Sequence, residues 1–124
     1  MKNFVRLSAL TLLLLGTTAC GEDLFCTDQL ESVFITVKGD PLDDVYTIRE
    51  ATGDTLRFYQ FPGDGDARIY TVMTDSLRPQ LEKRTETFVF QGLSAGEIVV
   101  NEPFDITADR CHIQYVSGVQ EVTW

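Results

Sequence analysis

The chain is short of several things, and each shortage removes a class of function. Cations are scarce: ten Lys and Arg stand against nineteen Asp and Glu, for a formal charge of −9. Nucleic-acid phosphates are held by clustered Lys and Arg, so the balance argues against nucleic acid as a partner. It argues equally against lying flat on anionic lipid and mainly serves solubility. Histidine occurs once, as His112. Its neighbour Cys111 would point to the opposite face of a strand, so the two could not grip one zinc ion. No Gly-x-Ser-x-Gly is present, and no apolar pattern of helical period, internal repeat or low-complexity tract. The longest apolar stretch, Leu7–Ala19, is diluted by Thr11, Thr17 and Thr18. It falls short of the ~20 residues a helix needs to cross a bilayer.

What the N-terminus does have is a basic tip, Lys2 and Arg6, then the apolar run Leu7–Leu15, then small residues leading to Cys20. That is the layout of a secretory signal peptide over residues 1–19. A cysteine at the cut point resembles the lipobox of bacterial lipoproteins, with Ala19 before it and Thr17 where the pattern prefers Leu. The resemblance implies that Cys20 is acylated and becomes the new N-terminus. Two or three acyl chains make a firm anchor, whereas one is marginal. The family's inner-membrane retention residue, Asp, is replaced by Gly21, which implies an outer-membrane address on its periplasmic or surface face. Glu22 and Asp23 read as a solvated tether, or as an acidic export tag. Ordinary cleavage beside an unmodified Cys20 and a retained span are the competing readings of the same segment. The expected division is a signal peptide at 1–19, a lipidated tether at 20–25 and a β-sandwich domain at 26–124. Losing the signal removes Lys2 and Arg6 and no acid, making the remainder two charges more negative.

Three cysteines leave one unpaired in an exported protein. Lipidation of Cys20 accounts for one, and leaves Cys26 and Cys111 to form a single bridge in an oxidising compartment. Such a bridge closes a loop of about 85 residues, worth roughly 4–5 kcal/mol in the chain-entropy model. Two free thiols are the alternative.

From Ser32 onward the pattern is that of strands. Ser32–Lys38, Val45–Glu50, Thr55–Gln60, Ala67–Thr74, Thr85–Gln91, Glu97–Asn101, Phe104–Thr107, Cys111–Val116 and Val119–Trp124 are rich in branched and aromatic residues. Gly, Pro, Asn and Asp punctuate them, except at Asp75–Arg84, a charged loop with room for one helical turn. Pro103 predicts a bend or an edge between Asn101 and Phe104. Short strands separated by turns every 8–12 residues or so predict an all-β fold, an antiparallel seven- to eight-stranded β-sandwich, Ig-like, or a barrel.

The two ends of the domain carry a further resemblance. Cys26-Thr27-Asp28, the turn Gly39-Asp40-Pro41-Leu42-Asp43-Asp44-Val45 and the late Asp109-Arg110-Cys111-His112-Ile113 are similar to small bacterial lipoproteins with carboxypeptidase regulatory-like domains. The middle of the chain departs from that pattern: Ala67–Val72 matches the family's Gly-x-Tyr-x-Val strand only loosely, and its Tyr-containing turn is missing. The resemblance implies a transthyretin-like accessory sandwich with no peptidase chemistry.

The function expected from these readings is a non-catalytic, lipid-anchored cell-envelope module with a structural or protein-interaction role. Its partners would be the membrane, through the lipid, and an envelope protein or glycan. No catalytic residue, metal ligand or cofactor is assigned. His112 reads as a structural or surface residue, and the carboxylate pairs Glu22–Asp23 and Asp43–Asp44 as tether and turn. The alternative is a ligand-binding domain. Calcium would be held by Asp64 and Asp66, with Asp75 eleven residues beyond Asp64, although Asp-Gly-Asp also suits a plain turn. Carbohydrate would stack on Tyr59 and Tyr70.

Overall fold

Alternation of apolar and polar side chains sets the strands. In Ser32–Lys38, Val33, Ile35 and Val37 are buried while Phe34 and Lys38 are exposed, the period-two signature of a strand with one face on a core. The computed structural model describes residues 26–61, 63 and 65–124. The proposed signal peptide, Cys20 with its tether, and Asp64 lie outside the described residues.

The described strands are β1 (Ser32–Lys38), β2 (Asp44–Arg49), β3 (Asp54–Leu56), β4 (Ala67–Thr74), β5 (Thr85–Ser94), β6 (Glu97–Ala108), β7 (Ile113–Gly118) and β8 (Glu121–Thr123). A 3-10 turn, Asp75–Leu77, and a single helical turn, α1 (Arg78–Leu81), join β4 to β5. Two sheets result, a small one in the order β4-β1-β8 and a larger one in the order β3-β2-β5-β6-β7. The chain is thus mostly β, and its pairs are antiparallel except β1 with β8, which is parallel.

One apolar cluster lies between the sheets. Val33, Ile35 and Val37 of β1 and Val72 and Met73 of β4 meet Phe88 and Phe90 of β5 and Phe104 and Ile106 of β6. Two sheets sharing one core are consistent with a β-sandwich. Leu77 and Leu81, four residues apart on the β4–β5 connection, close one end of that core. The buried Thr47 hydroxyl of β2 donates to the Val72 carbonyl of β4 at 2.7 Å, a polar tie from one sheet to the other.

One expectation holds and one fails, each for a local cause. The segments flanking Pro103 form one continuous strand, β6, with the expected edge at Pro103. β7 pairs with β6 only as far as Phe104, so at Pro103 β6 is an edge strand, where a residue without an N–H is tolerated. The wholly antiparallel expectation fails at the corner after β7, where the chain passes into the small sheet. Gly118 turns there at φ 137°, and a Cβ would come within 2.6 Å of the Phe104 ring. The step places β8 beside β1 running in the same direction, with Thr36 opposite Glu121 and Lys38 opposite Thr123.

The registers give the molecule two distinct ends. At one, the Ala95–Gly96 turn of the β5–β6 hairpin, the 39–43 turn and Trp124 collect. The Trp124 indole N–H donates to the Asp40 carbonyl at 3.0 Å and the ring packs on the core. At the other end lie residues 26–31, the 75–84 connection and the 109–112 turn. β6 runs from the first end to the second, about 35–40 Å at an ordinary strand rise.

If the shared core carries the stability, Phe90→Ala should cost about 3–5 kcal/mol. Val116→Ala, at an exposed bulge position of β7, should change stability by less than about 0.5 kcal/mol. Urea-denaturation midpoints of the two variants check this, and equal losses would contradict the core assignment.

Candidate functional site

The densest set of long-range polar contacts lies at the second end, and Asp75 organises it. Thr74 caps the 3-10 turn, its hydroxyl accepting from the Ser76 N–H at 3.3 Å, and this holds Asp75 at the exit of β4. The Asp75 carboxylate then accepts from three places. Oδ2 takes the Glu31 N–H at 2.8 Å and His112 Nδ1 at 2.8 Å, and Oδ1 takes the Ile113 N–H at 2.8 Å. The Asp75 N–H returns a bond to the Glu31 carbonyl at 3.2 Å. One side chain therefore ties the segment before β1, the exit of β4 and the entry to β7.

His112 is oriented by that contact. A carboxylate only accepts, so Nδ1 carries the proton facing Asp75. In the neutral ring Nε2 is then an acceptor, and it lies 3.1 Å from the Thr27 hydroxyl. The 109–112 turn is held by a second carboxylate: Asp109 Oδ1 accepts from the Cys111 N–H at 2.7 Å and the His112 N–H at 2.8 Å. Cys111 is bonded to Cys26 across 85 positions of sequence, with Cα atoms 5.1 Å apart. The Arg78 guanidinium donates to the Arg110 carbonyl at 2.8 Å and joins the connection to the same turn. We call this assembly the clip.

Its electrostatics follow from the bonds. Partial burial would raise the Asp75 pKa, but the N–H groups of Glu31 and Ile113 and the His112 ring outweigh it and hold the carboxyl below its ordinary range. Asp109 is held low by the N–H groups of His112 and Cys111. Beside the clip, Glu86 is held low by Arg49, whose Nε and Nη2 donate to its two oxygens at 2.9 and 2.8 Å.

The sequence candidates separate clearly. Cys26 and Cys111 come together. His112 is mostly buried, and both it and Cys111 sit in a turn ahead of β7 instead of on a strand. Tyr70 is not a surface stacking platform: its ring centroid lies 6.1 Å from that of Phe90, and its hydroxyl accepts the Leu42 N–H at 3.2 Å. Tyr59 is 75% exposed and forms an edge-to-face pair with Phe61 at 5.1 Å. Asp66 is exposed at the start of β4 and Asp75 follows its end, so the strand keeps the two apart and they cannot close a loop round one ion. Among the described residues no group of three His, Cys, Asp or Glu is placed to hold a metal.

Asp75, Thr27, Asp109 and Arg78 were not read as members of a clip in the sequence. Asp109 had a signal, because an Asp two residues before Cys111 suits a side-chain-to-backbone turn. Asp75 and Thr27 had none, since their contacts join residues far apart in the chain. The chain Thr27–His112–Asp75 has the order in which a histidine draws a proton from a hydroxyl. Here each member also fastens a different segment. No family model, curated protein or solved structure matches this chain.

The lowered carboxyls fix the sign of the acid response. A carboxyl held below its unfolded value stabilises the fold fully above that value, near 3.8 for Asp75, and the contribution is lost as pH falls through the lower folded value. Acid unfolding followed by circular dichroism should therefore begin below about pH 4, and Asp75→Asn should flatten the acid limb. The same variant should lower stability at pH 7 by about 1–3 kcal/mol. An unchanged acid limb would show that Asp75 does not hold the clip.

Proposed function

We propose that the protein is a non-catalytic, lipid-anchored module of a bacterial cell envelope, a transthyretin-like sandwich with a structural or protein-interaction role. The observation that carries this reading is the position of the clip. Cys26 is bonded into the fold directly after the short segment Gly21–Phe25 that separates it from Cys20. A chain of that length reaches at most about 20 Å, so an acylated Cys20 would hold the clip end close to its membrane. Asp75, His112 and the disulfide brace the point at which such an anchor would pull. The outer membrane is the address that Gly21 favours, and the ends of the domain favour the carboxypeptidase regulatory-like class.

A second reading, carbohydrate binding, is favoured by one feature. Tyr59 and Phe61 stand exposed on either side of Gln60, whose amide pairs with the Thr71 backbone at 2.7 and 3.1 Å and fixes the segment along β4. Exposed aromatic faces suit the apolar faces of sugars.

Metabolic labelling with an alkyne fatty acid tests the anchor. We expect label in the wild-type protein and none in Cys20→Ala; absent label, or label that survives the substitution, would overturn the lipid assignment. Reaction of Thr27 with a fluorophosphonate would overturn the non-catalytic half.

A further inference from the structure

The molecule is strongly acidic, yet one cleft at the clip end is not. An open cleft of about 580 Å³ is lined by Arg49, Pro79, Gln80, Glu82, Lys83 and Arg84. Lys38, Arg49, Arg57 and Arg78 each lie within ion-pair distance of a carboxylate. Lys83 and Arg84 have no such partner among the described residues, and they are adjacent. The one carboxylate in the lining, Glu82, lies 3.7 Å from Arg78, which offsets part of its charge. Arg49 is braced on two sides, by Glu86 and by the Gln80 amide oxygen at 2.6 Å from its Nη1.

The backbone is built to keep this arrangement. Lys83 has φ 60°, a left-handed conformation that a side-chain-bearing residue adopts at a cost. The turn is nonetheless locked: the Lys83 N–H donates to the Ala108 carbonyl at 3.3 Å, the Arg84 N–H to the Leu81 carbonyl at 3.0 Å, and the Thr107 hydroxyl to the Arg84 carbonyl at 2.5 Å. An ammonium and a guanidinium fork on a fixed turn suit a tetrahedral oxyanion, while the Arg49 guanidinium on the same wall is paired with Glu86 and shapes the cleft without adding net charge. The overall negative charge repels anions, so any anion bound here is bound by the local site.

We propose that the Lys83–Arg84 cleft binds a phosphate group, and that at the membrane it takes the headgroup phosphate of an anionic lipid in the leaflet holding the anchor. The lipid assignment rests on the anchored reading above; the phosphate site does not. Bound there, the headgroup would fix the clip end against the bilayer at a second point beside the lipidated tether.

The test uses full-length protein labelled with nitrogen-15, observed by NMR at the Lys83 and Arg84 amides and the Arg49 and Arg84 Nε–H groups. Cys20→Ala protein is titrated with inorganic phosphate and, separately, with glycerophosphoglycerol, the soluble headgroup of phosphatidylglycerol. We expect saturable shifts confined to these residues, at least tenfold weaker in Lys83→Ala/Arg84→Ala and weakened by raising salt from about 50 to about 500 mM. Unchanged amide positions elsewhere show that the double variant is folded. No saturable shift with either anion, or shifts that persist in the double variant, would overturn the site. Acylated wild-type protein in nanodiscs then separates the sources. Shifts with phosphatidylglycerol and not with phosphatidylcholine support the lipid assignment, while their absence after a positive soluble titration overturns that assignment alone.

Discussion

The Asp75 carboxylate is the constraint on which the arrangement of this end depends. It accepts from Glu31, His112 and Ile113 and so joins segments that enter β1, leave β4 and enter β7. An ionised carboxylate that is mostly buried is stable only when its lone pairs are filled, and here backbone N–H groups supply two of the three donors. The disulfide works beside it on a different state. Cys26–Cys111 restricts the unfolded chain across 85 positions, whereas Asp75 stabilises the folded one.

That fastening gives the molecule a direction. Residues 26–31, the 75–84 connection and the 109–112 turn form one end, which holds the Cys26–Cys111 disulfide. β5 and β6 run the length of the larger sheet to the other end, where the Ala95–Gly96 turn and Trp124 sit. The anchored role and the lipid assignment depend on this direction. An anchor near Cys26 would place the clip and the Lys83–Arg84 cleft toward the bilayer and the hairpin turn away from it.

Much of the fold is legible in the residues. Ser32–Lys38, Ala67–Thr74 and the start of β5 alternate or cluster apolar side chains strongly enough to name strands, and all three appear. The Cys26–Cys111 pair was expected only with Cys20 set aside as a lipid site, and the bond itself is present. What is hidden depends on tertiary context. β6 runs through Pro103 because β7 happens to stop at Phe104, and β8 lies parallel to β1 because Gly118 lets the chain cross between sheets. Thr55–Gln60 reads as one strand, yet pairing ends at Leu56; Gln60 then bonds the β4 edge with its side chain in place of its backbone. The site was less legible than the fold, since Asp75, Thr27 and the Lys83 turn acquire their roles only from partners far away in sequence.

Trp124 is the single tryptophan, and it lies at the end opposite the clip. This permits a direct test of the direction assigned to the molecule. The acylated protein is reconstituted into vesicles carrying a headgroup quencher, and indole emission is compared between wild type and Arg110→Trp in a Trp124→Phe background. A clip end held at the bilayer gives little quenching of Trp124 and strong quenching at position 110. Strong quenching of Trp124, with position 110 protected, would contradict that direction.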